Sequence, residues 1–304
     1  MPDSTLQQPS SAVDTMSTED IDRELAGLDA LELGGQHRRS FGARTWSATW
    51  PKLIAIGIFL GVWQLVAMSG WKPDHILPGP GPVLKQFWTD LTDGTVLKSS
   101  LLPTTLKRAA VGYSSAVVIG TVIGAVLSQV KVLRTGVASL ITGLQTMPSV
   151  LWYPMALVLF GLSESAILFV VIIGAAPSVA SGILSGSDQV PPLLLRAGRV
   201  LGARRFTLWR EVVFPASLPA VISGLKQGWA FSWRSLMAGE LIGAAIGNPG
   251  IGGLVDQSRT LSDYTGMYAT MILILLIGIA VDAVFNVIEK HVNRRRGLID
   301  AAAA

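Results

Sequence analysis

The stretch VASLITGLQTMPSVLWYPMALVLFGL, starting at Val137, contains no charged residue. A second uncharged run, SAILFVVIIGAAPSVASGILSG, follows from Ser165 to Gly186. Two neighbouring runs of this kind suit a bilayer, whose hydrocarbon core takes about 20 apolar residues of helix to cross. Four more share the character: LIAIGIFLGVWQLVAM from Leu53, AAVGYSSAVVIGTVIGAVL from Ala109, residues 217–246, which tolerate charges, and YTGMYATMILILLIGIAV from Tyr264. Backbone groups in lipid must be bonded within their own segment, so open-ended segments cross as helices. A β-barrel needs alternating ten-residue segments, and the sequence has none. The expectation is an all-α membrane protein with six transmembrane helices.

Composition agrees. Half of the residues are hydrophobic and 14% are charged, against roughly 25% charged in a soluble domain. The formal charge of +4 raises nucleic acid as a partner, but aromatic and basic residues nowhere interleave on a polar face, and none is expected. There is no cysteine, hence no disulfide or thiolate site. His37, His75 and His291 have no metal-ligand spacing, so no metal is expected.

Lys and Arg set the orientation. With a cytoplasmic N-terminus, the inside segments hold Arg38, Arg39, Arg44, Lys52, Lys131, Arg134, five arginines between 196 and 210, Lys290 and Arg294 to Arg296. The outside segments hold Lys72, Lys85, Lys98 and Arg259, with Lys107 and Arg108 at the mouth of the second span. Both termini are therefore expected in the cytoplasm, and Glu164 in a short external turn as a solvated charge.

The chain divides by composition. Residues 1–49 read as a polar, largely disordered tail with one amphipathic helix in STEDIDRELAGLDALEL. Residues 50–97 hold the first span and an external segment, where Val83, Leu84, Phe87, Trp88 and Leu91 form an apolar helical stripe suited to the membrane interface. Residues 98–290 hold five spans and a cytoplasmic loop at 187–216; residues 291–304 are a basic tail.

That loop, with RAGRVLGARRFTLWREVVFPASLPAV at 196–221, carries Arg196, Arg199, Arg204, Arg205 and Arg210. Leu193, Ala197, Val200 and Leu201 fall at helical spacing, Gly202-Ala203 permits a break, and RFTLWREVVF forms a second short helix. Pro215 and Pro219 are expected to end that helix and start the fifth span. Such a projecting helical hairpin suits the transfer of a push from a soluble partner. Its arginines would equally serve only to set topology.

The loop resembles the EAA loop of ABC-importer permeases: EAA, three residues, Gly, nine residues, then hydrophobic, any residue, hydrophobic, Pro. Ala197, Gly202, Val212, Phe214 and Pro215 fall on that frame, with Arg196 in place of the Glu and Gly198 in place of the second Ala. ILPGPGPVLKQFW, MPSVLWYPMALVLFGLSE and GNPGIGGLV are similar to the sulfonate, taurine, nitrate and bicarbonate branch, the aliphatic sulfonate permeases most of all. The resemblance covers residues ~50–296 and implies a type I importer permease of the bacterial inner membrane, with 98–290 as its transmembrane domain. It implies two cytosolic ATPase subunits, a second permease copy in a homodimer, an external substrate-binding protein, and ATP with magnesium on the ATPase alone. In that setting Ala203, Arg204, Arg205, Phe206 and Leu208 would meet the ATPase. No Gly-x4-Gly-Lys-[Ser/Thr] occurs in the chain, so it has no P-loop for a nucleotide and is not expected to be an enzyme. A secondary transporter or channel, the alternative of a different class, would show inverted repeats.

Lys226, Arg234 and Glu240 sit within the fifth span, where a charge costs about 2.5–3.5 kcal/mol at the helix centre. Lys226, Trp233 and Glu240 recur every seven residues and share one helix face. Lys226 and Glu240 stand ~21 Å apart at ~1.5 Å per residue, too far to pair, so each needs another helix, water or substrate. Lys226, Trp233, Arg234 and Glu240 are thus candidates for a wet, anion-tolerant pathway, or for pairs with neighbouring helices. Gln145, Met147 and Trp152 interrupt the third span and Ser178 follows Pro177 in the fourth. These four are pathway candidates too, with kinks and packing as the other reading.

Overall fold

The computed structural model describes residues 41–94, 100–243 and 249–295. The amphipathic helix expected in the N-terminal tail, Lys98 and Arg296 lie outside them. Two compact units divide between Val62 and Trp63. Of the described residues, the first unit holds only most of helix α1 (Phe41–Met68), which runs through Pro51. The helices that follow α1 belong to the second.

There, α2 (Pro80–Thr92), α3 (Leu101–Gln129) and α4 (Lys131–Thr146) are followed by a 3-10 turn at Ser149–Trp152 and α5 (Tyr153–Phe160). Then come α6 (Glu164–Asp188), α7 (Pro192–Val200), α8 (Arg205–Leu208), a π-helical turn at Trp209–Val213, α9 (Phe214–Ile242), α10 (Ile251–Thr260) and α11 (Tyr264–Arg295). Among the described residues, four helical stretches are long and apolar enough to cross a membrane: Thr49–Met68 within α1, α3, α6 and α11. Helix α9 matches them in length, at 29 residues, but carries Lys226, Arg234 and Glu240 and is not among the four.

Expected third-span residues do not form one helix. Pro148 disfavours helical backbone at the residue before it, and Met147 is extended, with φ −75° and ψ 128°. The chain therefore breaks after α4, and Gln145 at the break donates to the Pro177 carbonyl at 3.0 Å. The second span starts earlier than expected, at Leu101, which draws Arg108 two turns inside its helix.

Helix α6 packs between α3 and α9. Small residues four apart on α3 (Gly112, Ala116, Gly120, Gly124) are buried there, and such stripes let helix backbones approach closely. On the other side of α6, Gly182 faces Gly224 of α9: a Cβ on either would meet the partner's Cα at 2.6 Å. A core of Ala109, Ile167, Val171, Trp233, Leu236, Ile251 and Leu273 ties α3, α6, α9, α10 and α11 together. Helix α2 packs on α11, with Val83 buried and Phe87 and Leu91 against this core. Of its apolar stripe, Leu84 and Trp88 stay exposed, while the rest packs onto the bundle.

Candidate functional site

Helix α7 and the chain after it fold into a tight hairpin. Gly202 has φ +85°, the left-handed region that glycine enters without strain. Its N–H bonds the Arg199 carbonyl at 3.0 Å, and the Ala203 N–H bonds the Gly198 carbonyl at 2.9 Å. This pair of bonds is the Schellman arrangement that ends a helix. Gly198 is where the two arms close: a Cβ there would stand 2.7 Å from Leu208 Cδ1 and 3.1 Å from Val212 Cγ2. Glycine in place of alanine at 198 thus has a packing reason.

Leu208 and Val212 consequently turn inward onto Gly198, while Val200, Leu201 and Phe206 are 87%, 86% and 72% exposed. Arg196, Ala197, Arg199, Arg204 and Arg210 are also exposed, and Ala203 is half-buried. The Arg205 side chain lies outside the described residues. The hairpin thus presents exposed Val200, Leu201 and Phe206 on a segment that also exposes four arginines, Arg196, Arg199, Arg204 and Arg210.

Pro215 and Pro219 do not break the chain as expected. Helical backbone runs from Arg205 to Ile242. Pro215 sits in the first turn of α9, where its missing N–H is tolerated. The wider π turn just before it, closed by the Phe214 N–H on the Trp209 carbonyl, makes room for the proline ring. Trp209 and Phe214 pack with ring centroids 5.8 Å apart.

Residues expected in a pathway do not gather in one place. Lys226 receives ion pairs from Asp282 at 3.8 Å and Glu289 at 3.7 Å and donates to Asn286 at 2.6 Å. It is a tie between α9 and α11, not a cation left open for a substrate. Glu240 is 1% exposed. Ser178 is fully buried at the α6–α9 contact, Met147 is partly exposed at the break, and Trp152 packs beside Tyr153 and Val170. Arg234 differs from all of these. It is exposed, donates to the Ala230 carbonyl at 3.2 Å and lies 5.0 Å over the Phe231 ring. Among the described residues it has no carboxylate within ion-pairing distance. It opens onto a groove of about 530 Å³ between α9 and α11, whose wall includes Trp229 and Trp233.

Sequence reasoning missed the largest polar assembly. At the end of the bundle opposite the hairpin, Arg108 of α3 bonds Glu240 of α9 through Nη1 at 3.0 Å. Its Nε and Nη2 reach Glu164 of α6 at 3.2 and 2.6 Å. Glu164 is therefore paired, where a solvated charge was expected. Thr105 donates to the Glu240 carboxylate at 2.8 Å and accepts the Ile251 N–H at 2.9 Å. The Gly252 N–H completes the Glu240 shell at 3.0 Å. Glu240 thus sits at the N-terminus of α10, where exposed N–H groups and the helix dipole favour an anion. Gly250 and Gly252 make the space: a Cβ on Gly250 would overlap this carboxylate, and one on Gly252 would come 2.7 Å from Glu240 Cβ. The available signal was a carboxylate within a span, which must find partners.

Residues 116–297 match the family model described as "Binding-protein-dependent transport system inner membrane component". A putative ABC transporter permease of Methanocaldococcus jannaschii is 29% identical over 232 residues, covering 75% of this chain and 85% of that one. The nitrate import permease NrtB of Synechocystis is 28% identical over 258 residues (80% of this chain, 90% of that one). The putative aliphatic sulfonates transport permease SsuC of Escherichia coli is 27% identical over 243 residues (79% and 89%). Among solved structures, the inward-facing MetNI methionine ABC transporter shares the fold with a TM-score of 0.52 at 21% identity. That match covers 62% of this chain and 92% of the other.

Proposed function

From the premise that the chain belongs to the binding-protein-dependent transport system inner membrane components, we propose that it is the translocating subunit of an ATP-driven importer of small anions, aliphatic sulfonates first. It is an ABC importer permease, a multi-pass inner-membrane transport protein rather than a catalyst. In our reading it crosses the membrane six times with both termini in the cytoplasm. Residues 98–290 form its transport domain and pair with the same domain of a second copy. Two cytosolic ATPase subunits hold ATP and magnesium, and an external binding protein delivers the substrate.

The observation that carries this reading is the hairpin at 192–213, which exposes Val200, Leu201 and Phe206 together with Arg196, Arg199, Arg204 and Arg210. Exposed apolar side chains of this size on a polar loop mark a docking surface. The accompanying cations select an acidic rim. Gly198 and the Schellman closure at Gly202 make the hairpin stiff, and helical backbone continues from Arg205 into α9. Closure of the ATPase pair on ATP would therefore move α9, and α6 and α3 packed behind it, as a body. Arg196, Ala197, Ala203, Arg204, Arg205 and Phe206 form the contact. Gly198, Gly202, Leu208, Val212, Phe214 and Pro215 hold its shape.

Solubilising the complex from native membranes and asking whether an ABC ATPase copurifies tests the coupling. A chain that transports without an ATPase is a secondary transporter or channel and ends the proposal. Nitrate is the second substrate reading, because the nitrate permease relative is as similar as the sulfonate one.

A further inference from the structure

We propose that the seam between α3 and α6 binds one phospholipid with a primary ammonium headgroup: phosphate on Lys107, ammonium on Glu164, and one acyl chain along Ile119, Ile123, Ile172 and Ala176. The site lies outside the importer reading. Only its assignment to the outer leaflet rests on the topology proposed above.

Two grooves share this seam. The outer one, of about 600 Å³, is the mouth: Thr104 and Lys107 of α3 and Glu164 of α6 line it, together with Val111 and Leu168. The inner one, a trough of about 350 Å³ to which α4 adds Val137 and Leu140, is lined by apolar side chains alone. Glu164 and Leu168 belong to the mouth, Ile172 and Ala176 to the trough. The four recur every fourth residue along α6, so one row of side chains joins the two grooves. At ~1.5 Å per residue, Ile172 and Ala176 lie ~12 and ~18 Å from Glu164. Those depths bracket the ~15 Å of hydrocarbon in one leaflet.

The mouth decides the headgroup. Lys107 is exposed, and among the described residues it has no carboxylate within ion-pairing distance. Glu164 accepts from Arg108, yet its side chain stays 50% exposed, and a carboxylate offers about four acceptor sites. Opposite charges side by side match a zwitterion, whereas a net-anionic headgroup meets one attractive and one repulsive partner. No aromatic side chain lines the mouth, so it lacks the cage that a quaternary ammonium takes. A primary ammonium donates to the carboxylate directly.

The trough decides the rest. It runs ~16 Å along α6 from Phe169 to Ala180, which gives its volume a mean section of ~20 Å². That is room for an extended hydrocarbon chain and too narrow for a helix of a second copy, ~10–12 Å across. A soluble zwitterion would fill the mouth and leave the trough uncovered. A phospholipid covers both.

The test is native mass spectrometry of the delipidated full chain, titrated with dioleoyl phosphatidylethanolamine, phosphatidylcholine and phosphatidylglycerol. Phosphatidylethanolamine should bind about fivefold tighter than either of the others. Lys107→Gln and Glu164→Gln should both erase that advantage but move phosphatidylglycerol in opposite directions. Without Glu164 the mouth is cationic and phosphatidylglycerol should gain; without Lys107 it should lose further. A loss of structure would weaken all three lipids alike in both variants. Ile119→Trp fills the trough, leaves the mouth, and should weaken every lipid about tenfold. Soluble phosphoethanolamine should not compete. Equal affinity for phosphatidylethanolamine and phosphatidylcholine, tightest binding of phosphatidylglycerol by the unmodified chain, parallel effects of the two mouth variants, or competition by phosphoethanolamine overturns the proposal. So does loss of the bound lipid when two chains associate, which would make the seam an interface between copies. No ATPase or substrate is present, so the outcome is independent of the coupling reading.

Discussion

Arg108 and Glu240, 132 positions apart in the chain, meet through a 3.0 Å bond between Nη1 and Oε1, with 3% and 0% of their side chains exposed. The same guanidinium holds Glu164, whose side chain is 50% exposed. One arginine therefore fastens α3 to α9 with one hand and to α6 with the other, and the two bonds differ in their surroundings.

That difference is measurable. Arg108→Gln strands a buried carboxylate and should destabilise the chain by about 3–5 kcal/mol, the usual cost of breaking a buried pair from one side. Glu164→Gln removes only a half-exposed partner and should cost about 1 kcal/mol or less. Thermal unfolding of both variants in one detergent gives the comparison. Equal losses would mean that the buried bond carries no special weight.

The glycines before α10 give a second comparison. Gly250→Ala and Gly252→Ala push a methyl group into Glu240 and should lower the unfolding temperature sharply. Gly136→Ala, in α4 with nothing within 4 Å of the added carbon, is the control. It should be neutral or stabilise by about 0.5–1 kcal/mol, since glycine is the poorer helix former. If all three variants behave alike, Gly250 and Gly252 are not shaped around the carboxylate.

These comparisons also mark what could be read from the sequence. The apolar runs at Leu53, Ser165 and Tyr264 gave helices close to where expected, because hydrophobic length and helical backbone in lipid are linked directly. The loop hairpin was legible too, since Gly202 and the spacing around it are local signals. What failed depends on partners. Met147-Pro148 looked like an interruption within one span, yet its local backbone rule divided the segment. Pro215 looked like a helix end, yet a π turn ending at Val213 absorbs it. Lys226, Glu240 and Glu164 could not be assigned, because their counter-charges lie 56 to 63 positions away or, for Glu240, 132. No spacing rule reaches that far.

Lys226 and Arg234 should therefore separate on mutation. Lys226→Ala unties α9 from Asp282 and Glu289 and should lower stability by about 1 kcal/mol, as expected of a partly exposed pair. Arg234→Ala should leave the melting profile within about 0.5 kcal/mol of the parent, as for other exposed substitutions, and reduce uptake in the reconstituted complex. A drop in uptake from Lys226→Ala with no change in stability would restore it to the pathway.

Topology is checked by reporters. A fusion after Arg295, at the end of α11, should give activity only from a reporter that works in the cytoplasm, as should one within 192–213. One placed before Leu101 should require export. A periplasmic signal from the Arg295 fusion would break the six-span reading, because it implies an odd number of crossings after a cytoplasmic start.

The hairpin yields the sharpest test. A side chain at Gly202 would meet nothing within 4 Å, so substitution there acts through the backbone alone, at φ +85°. Asparagine tolerates left-handed backbone better than other side chains and valine least well. Gly202→Asn should therefore keep the Schellman closure, whereas Gly202→Val should lose it and swing Phe206 away from its present position. Phe206→Asp alters the tip without touching the turn; at 72% exposure it should leave stability within about 0.5 kcal/mol, as most surface substitutions do. If the hairpin seats an ATPase, Gly202→Val and Phe206→Asp should both release it from the purified complex and stop uptake, while Gly202→Asn keeps both. If the arginines serve only to orient the chain, all three variants retain them and transport normally. Retention of the ATPase by both Gly202→Val and Phe206→Asp would falsify the docking role, and the split between the asparagine and valine variants isolates backbone geometry as its cause.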